Sequence, residues 1–446
     1  MSGCPPGWCP ARIRELGEVR LGRQRSPGRA TGPHMRPYMR AANVTWAGLS
    51  LEDVKQMDFS PAEYDVFALR KGDVLVGEAS GSRLEVGKSA VWRGEVPGAC
   101  FQNTLIRVRP GEAILSEYLQ KHLQHDGRRG ALAKIARGIG IHHLGAAGLT
   151  EWRIAVAPLA EQKRIVAKLD ALLARVDACR QRLGRVPAIL KRLRQSVLAA
   201  ATSGELTGEW REERRYAGEW RTTSLGDVLR DVRYGTAKKC SYEPRATPVL
   251  RIPNVASGTV SHEDIKYAEF DDGERRKLEL CPGDLLMIRS NGSLGLIGRT
   301  AVVSEREAGF LYAGYLIRLR PEPVLVRAPY LALYLESPES RSTIEQMARS
   351  TTGVNNINAE EIRRLSIRIP SLTEQDEIVR RTAGLLELAK LAEGRLSQAV
   401  ARLERAEPAA LAKAFRGELV PQDPNDEPAS ALLDRVRAES ASNPAP

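Results

Sequence analysis

Long apolar runs are missing from this chain of 446 residues. Its uncharged stretches all fall short of the ~20 apolar residues that a membrane helix needs. The N-terminus holds Pro5, Pro6 and Arg12 but no apolar core, so no secretory signal is expected there. The six cysteines (Cys4, Cys9, Cys100, Cys179, Cys240, Cys281) include no CxxC pair. That argues against a zinc ribbon or a thioredoxin-like site and suits a reducing cytoplasm. A Gly-x-Gly-x-x-Gly cofactor loop is missing, as are an Asn/Asp-Pro-Pro-Tyr/Phe tetrad and a nuclease-like carboxylate cluster. The expectation is a chain with no catalytic centre of its own.

What is abundant is positive charge. Sixty-seven Lys and Arg stand against 55 Asp and Glu, a net charge of +12. Such an excess points to a polyanionic partner, usually nucleic acid. Arg far outnumbers Lys, so a general basic bias is the competing explanation.

The chain also repeats itself. Residues 159–206 and 372–419 align without a gap and are identical at 18 of 48 positions. Leu159-Ala160-Glu161-Gln162 answers Leu372-Thr373-Glu374-Gln375, and Gly204-Glu205-Leu206 answers Gly417-Glu418-Leu419. The preceding segments match more weakly. Leu16-Gly17-Glu18-Val19 answers Leu225-Gly226-Asp227-Val228, Gly72-Asp73 answers Gly283-Asp284, and Gly140-Ile141-His142-His143 answers Gly353-Val354-Asn355-Asn356. A variable module and a better-kept module therefore each occur twice.

The better-kept module is helical. Ile165, Leu169, Leu172, Val176, Cys179, Leu183, Val186, Leu190, Leu193 and Val197 recur at alternating spacings of four and three, a heptad stripe. Gly184 and Pro187 are expected to kink or break this helix. The second copy has a leaner stripe: Ile378, Leu385, Ala389, Ala392, Leu396, Ala399 and Leu403. One amphipathic helix cannot bury its own stripe, and the economical partner is the other copy. Packing of each helix on its own globular module is the alternative. The variable modules carry short β-rich runs at 73–76, 105–108, 285–288 and 316–319, with helical stretches at 116–123 and 329–335. Each reads as an α+β domain of ~150 residues. Two such globules held apart by a stiff helical spacer suit a duplex with two half-sites.

Gly81 to Ser89 ends like a phosphate-binding loop, but its first glycine is one residue too far away. Its duplicate, Gly292 to Thr300, has Arg299 in place of Lys88. The better reading is a turn that offers Lys88 and Arg299 to DNA phosphates, and a solvated turn is the plain one. His122 and His125 lack acidic or sulfur partners at metal spacing and read as surface residues. Reading a base edge calls for Arg or Lys for guanine and Asn or Gln for adenine, carried on loops. The candidates in the first module are Arg40, Asn43, Arg83, Gln102, His142 and His143. Those in the second are Lys238, Lys239, Arg251, Asn254, Arg289, Asn291, Asn355 and Asn356. Asn43 and Asn254 could instead cap turns.

The doubled set of Pro158-Leu159-Ala160-Glu161-Gln162 with Ile165, Pro370-Ser371-Leu372-Thr373-Glu374-Gln375 with Ile378, and Ser203-Gly204-Glu205-Leu206-Thr207 and Arg416-Gly417-Glu418-Leu419-Val420 resembles the specificity subunit of type I restriction–modification systems. The resemblance covers nearly the whole chain. It implies two similar α/β target recognition domains at 1–157 and 211–369. Two long helical regions, 158–210 and 370–420, would form an antiparallel coiled-coil spacer built on Ile165, Leu169, Leu172, Val176, Leu183, Leu190, Ile378, Leu385, Leu396 and Leu403. A tail follows at 421–446, with a small helix at 429–437. Each recognition domain would read one half of a bipartite duplex sequence. The helices would set the gap and bind two modification subunits, and two restriction subunits would complete a cleavage complex. S-adenosylmethionine, ATP and Mg2+ would sit on those partners, with no cofactor or metal on this chain and no membrane involved. The Arg-, Gly- and Pro-rich stretch from Arg20 to Met35 and the opening Met-Ser-Gly-Cys-Pro-Pro-Gly-Trp depart from the family pattern. The specificity chain of a methylation-only or other phage-defence complex, or a coiled-coil scaffold without sequence-specific DNA binding, are the rival readings.

Overall fold

The computed structural model describes residues 4–442 apart from 27, 29, 139, 140, 217, 245 and 349–353. Gly140 and Gly353, at the head of one repeated motif, thus lie outside the described residues. The chain forms two units, residues 1–183 with 398–446 and residues 184–397.

The two units share one strand plan. In the first, a four-stranded antiparallel sheet has the order Gly17–Leu21, Leu105–Pro110, Val74–Gly77, Ser89–Val91. In the second, the order is Leu229–Tyr234, Leu316–Pro321, Leu285–Ile288, Thr300–Val302. A three-stranded sheet accompanies each. Met35–Met39 lies between Cys100–Phe101, which is parallel to it, and Lys55–Asp58, which is antiparallel. Thr247–Leu250 lies in the same way between Leu311–Tyr312 and Lys266–Ala268. Small ladders complete the match: Cys9–Arg12 with Arg153–Val156, and Arg221–Ser224 with Ser366–Ile369. The apolar runs read as strands are the buried centres of these sheets, with Val74, Leu75, Val76, Leu285, Leu286 and Met287 all fully enclosed.

The Gly-Asp turns acquire a physical role here. Gly72 and Gly283 adopt φ of +96° and +88°, where a side chain is unfavourable. The next residue is a buried aspartate that accepts a backbone N–H and pairs with an arginine. Asp73 accepts from Arg70 N–H and meets Arg109 at 2.8 Å, and Asp284 accepts from Cys281 N–H and meets Arg320 at 2.7 Å. A second, buried arginine lies on the same strand in each unit. Arg107 reaches Glu18 at 3.0 Å and Arg318 reaches Asp231 at 2.5 Å.

The two long helices span Leu159–Ser203 and Leu372–Phe415, each about 66 Å at 1.5 Å per residue. The expected break at Pro187 does not occur: the helix runs through it, as the second runs through Pro408. Proline already holds a helical φ, so its cost is one lost donor and crowding at one carbonyl. Leu190 and Val197 beyond Pro187 are buried and hold the next turns in place.

Within the second unit, Arg194 meets Glu393 at 2.8 Å, and Arg381 donates to Leu206 C=O at 3.2 Å. The partner number falls as the first rises, so the helices run antiparallel. Ala201 and Ile378 enter this unit's core. In the first unit, Ile165 and Leu169 share a core with Leu411, Ala414 and the tail helix Ala429–Ser442. Each unit therefore takes one part of each helix. Of the heptad stripe, Ile165, Leu169, Leu190 and Val197 are buried and Leu172, Val176, Leu183 and Val186 half-buried. Cys179 and Leu193 are exposed, contrary to the stripe. A strict heptad drifts by about 20° per repeat on a straight helix, so some of its positions turn outward. In the second stripe Ile378 and Ala389 are buried, and Leu385, Leu396 and Leu403 are half-buried.

Three local expectations change. The opening segment is integrated: Trp8 is buried, donates to Glu161 Oε2 at 2.9 Å and meets Tyr118 edge-on. His122 is buried and His125 half-buried, so neither is a surface residue. Both rings pack on Phe415, with centroids 4.4 and 5.5 Å away, because the helix Ser116–Arg128 lies under the end of the second long helix. Asn43 and Asn254 are enclosed turn-holders. Asn254 Oδ1 accepts Arg251 N–H at 2.9 Å, and its Nδ2 donates to Ser261 and Glu263 carbonyls at 3.1 and 2.7 Å. Asn43 does the same with Arg40, Ser50 and Asp53. Both side chains are spent inside the fold.

Asn254→Ala strips a partner from three backbone groups, so a loss of about 1–3 kcal/mol in stability is expected, read as a lower thermal midpoint; an unchanged midpoint would contradict the turn-holding role. Burial pushes the His125 imidazole down to about 4 from its ordinary 6.5, and His122, Arg129 and Arg416 add to this against the pull of Asp126. Between those values the unfolded chain binds more protons than the folded one, so stability falls as pH drops through that window. The midpoint of the natural chain should fall more steeply from pH 6.5 to 4.5 than that of His125→Gln. Parallel curves would refute this origin.

Candidate nucleic-acid interface

Each unit contains a tight turn that several segments of the chain meet. In the first unit it is Gln102–Thr104. Gln102 N–H bonds Met39 C=O, Asn103 N–H bonds Arg23 C=O, and Glu78 N–H bonds Thr104 C=O, each at 2.9 Å. Leu144 N–H then bonds Glu78 C=O at 2.8 Å. In the second unit the turn is Ala313–Tyr315. Ala313 N–H bonds Leu250 C=O at 2.9 Å, Gly314 N–H bonds Thr236 C=O at 2.7 Å, and Arg289 N–H bonds Tyr315 C=O at 3.0 Å. Ile357 N–H closes the set on Arg289 C=O at 2.9 Å. Glycine is required beside both turns. A Cβ on Gly22 would lie 2.2 Å from Gln102 O, and one on Gly235 would lie 2.3 Å from Ala313 O.

These turns gather candidates from distant parts of the sequence. In the first unit Arg40 and Gln102 line a cleft of about 410 Å³ together with Arg25, Lys55, Gln56 and Thr104. Arg40 and Lys55 share Asp53, Lys55 at 2.7 Å, and the lysine and arginine together hold that carboxyl below its usual range. His142 and His143 pair with Ser80 and Ala79 in a two-residue ladder that begins beside Glu78. His143 is exposed, and its Nδ1 lies 3.1 Å from a Glu78 oxygen. In the second unit Arg251 reaches Asp264 at 2.6 Å. Arg289 lies over the Tyr234 ring at 4.6 Å and donates to Gly314 C=O at 3.1 Å. Asn355 and Asn356 pair with Asn291 and Ser290, the same ladder as in the first unit.

Other candidates stand apart from the turns or are already engaged. Arg83 is exposed on the 81–88 connection, and Lys88 is paired with Glu85 at 2.6 Å. Arg299 lies 3.9 Å from Glu336. Asn291 Oδ1 accepts Ser293 N–H at 2.8 Å, and Asn355 Nδ2 donates to Gly292 C=O at 3.1 Å. Lys238 meets Glu274 at 2.6 Å and lies over Phe270, and both it and Lys239 are exposed. The Gly81–Ser89 run is a turn with one short helical stretch at Arg83–Glu85, as read from the sequence.

Residue-type reasoning missed Arg25, Lys55, Gln56 and Glu78 in the first unit. In the second it missed Lys266, Tyr242 and Tyr315, the two tyrosines being 63% and 64% exposed. Lys266 lies over the Tyr242 ring at 4.7 Å. One signal was available: Lys55 and Lys266 are separated by the same 211 positions as Arg40 and Arg251. Cations, amides and phenols on a rigid turn can donate to phosphates and base edges and stack on bases. Among the described residues no group of three or more His, Cys, Asp or Glu could hold a metal ion. No described helix is long and apolar enough to cross a membrane.

Residues 217–399 match the type I restriction modification DNA specificity domain. The chain is 32% identical over 381 residues to the type I restriction enzyme EcoKI specificity subunit of Escherichia coli (strain K12), covering 83% of this chain and 82% of that protein. It is 33% identical over 380 residues to the StySPI specificity subunit of Salmonella potsdam, covering 83% and 81%. The fold matches the HsdS subunit from Thermoanaerobacter tengcongensis with a TM-score of 0.64 at 21% identity, over 93% of this chain and 98% of that one. A chain from a type I R-M system assembly matches with a TM-score of 0.69 at 22% identity, over 94% and 100%. A chain so matched along most of its length, with its recognition-type module and long helix each present twice, belongs to the specificity subunits of type I restriction–modification systems.

Proposed function

We propose that this chain is the DNA-recognition subunit of a type I complex and carries no catalytic centre. Each head reads one half of a bipartite duplex sequence through its tight turn and the groups around it. The long helices set the gap between the half-sites and dock two modification subunits, and two restriction subunits complete the assembly in the cytoplasm. S-adenosylmethionine, ATP and Mg2+ belong to those partners. The observation that carries this reading is the repeated hydrogen-bonded frame around 102–104 and 313–315, which keeps its backbone pattern while its side chains differ. A constant frame with variable polar groups suits two readers of unlike sequences.

The division of labour follows from the chemistry. Exposed cations such as Lys239 and Arg83 supply salt-dependent attraction to phosphates, which positions the chain without reading sequence. Groups on the turns supply the sequence-dependent part. The modification subunit must extrude its adenine from the duplex, and a reader bound at a fixed register places the enzyme over that base.

The test is a map of methylated adenines in host cells with and without this chain. One split motif with a fixed gap should vanish when the chain is removed. Replacing residues 1–157 by another head should alter one half of the motif and leave the other half unchanged. A change in both halves, or a map indifferent to the chain, would refute the two-reader scheme.

A further inference from the structure

The two heads place opposite charges at the same point of the same frame. Glu78 and Arg289 each donate their N–H to the tight turn, to Thr104 C=O and Tyr315 C=O. Each accepts from the residue that follows the paired ladder, Leu144 or Ile357. The backbone bonds are therefore the same whatever the side chain, and the frame itself does not call for either charge. A carboxylate on a surface suited to phosphates is unfavourable unless it has a specific task.

In the first head that task is visible. Both Glu78 oxygens lie near His143 Nδ1, at 3.1 and 3.2 Å. A carboxylate only accepts, so Nδ1 carries the hydrogen of this contact, and in the neutral form of the ring that leaves Nε2 as an acceptor. The His143 side chain is 53% exposed while Glu78 is 13% exposed, so the ring is the outer member of the pair. In the second head Asn356 takes the place of His143, and Arg289, stacked on Tyr234, presents donors only.

We propose that His143, with its tautomer set by Glu78, reads one base of the first head's half-site by accepting from an exocyclic amine, that of adenine or cytosine, and that Arg289 reads a guanine in the second head's half-site. This rests on the DNA reading above. His143 is the reading residue and Glu78 its positioning residue. The base classes follow from the major-groove code: adenine N6 and cytosine N4 donate, whereas guanine O6 and N7 accept. The exchange of Glu78 for Arg289 thus exchanges what the two heads accept at this place.

The test uses the full chain assembled with its modification subunits. Methylated adenines are mapped in cells carrying the natural chain, His143→Ala, His143→Arg, Glu78→Gln or Arg289→Gln. Binding of the purified complexes is measured on four duplexes that differ at one position. His143→Ala should relax a single A- or C-preferring position about tenfold and leave the other half-site and the gap intact. His143→Arg should turn that preference toward G. Glu78→Gln can donate to Nδ1 and reverse the tautomer, so it should shift the same position toward G, which a merely structural role would not do. Arg289→Gln should relax one G in the other half. If no variant methylates, the four-duplex binding series decides. Preferences unchanged in the His143 and Glu78 variants overturn this inference and leave the two-reader scheme standing. Absence of any split motif with the natural chain refutes that scheme instead.

Discussion

One buried carboxamide in each unit ties its head to the helix that follows it. Gln162 Oε1 accepts Leu115 N–H at 2.9 Å, and its Nε2 donates to Ala113 and Ala157 carbonyls at 3.1 and 2.9 Å. Gln375 makes the same three bonds, to Arg327 N–H at 2.7 Å and to Leu325 and Pro370 carbonyls at 3.1 and 2.9 Å. Neither side chain is exposed. A buried amide with its bonds made in three directions permits one orientation of the connection it holds. The first turn of each long helix is thereby fixed against the segment that leads from the sheet into the head's own helices. The Glu-Gln dipeptide that opens both helices is thus a joint, and its recurrence has a mechanical cause.

The neighbouring glutamates show how much the duplicates can differ around that joint. Glu374 accepts from Thr207 Oγ1 at 2.6 Å and from Arg211 at 2.5 Å. Position 420, which answers Thr207, is a valine, and Glu161 is served instead by the Trp8 indole at 2.9 Å. With that one donor among the described residues, burial pushes the Glu161 carboxyl upward. Trp220 stands 212 positions after Trp8, and its indole nitrogen finds no partner among the described residues. The same motif is satisfied by side chains from different parts of the chain. The joint is constant, and its surroundings have diverged.

Much of the fold was legible in the sequence because repetition is a local signal. The duplicated motifs, the strand runs at 73–76 and 285–288, the long helices and the tail helix all follow from spacing and residue type. The site was legible only in part. Arg40, Gln102, His143, Arg251 and Arg289 lie at the turns, but Glu78 and Tyr315 have equal standing there and carry no distinguishing pattern, and Lys55 is marked only by its spacing from Lys266. Asn43 and Asn254 have the right chemistry for adenine, yet their amides close turns inside the fold. Residue type alone cannot tell a reading amide from a turn-holding one, because both need the same donors and acceptors.

By itself the sequence determined the doubling, the module order and the helical nature of the better-kept module, since these depend on periodicity along the chain. It also showed the Gly-Asp pairs recurring in both halves, and the structure gave these glycines their positive φ. Only the tertiary structure decided that Pro187 leaves its helix unbroken, that His122 and His125 pack on Phe415, and that parts of both long helices enter each core. It alone set Glu78 against His143, and Arg289 on the Tyr234 ring. Those outcomes depend on which surfaces exclude water together, and burial is a property of contacts between residues far apart in sequence.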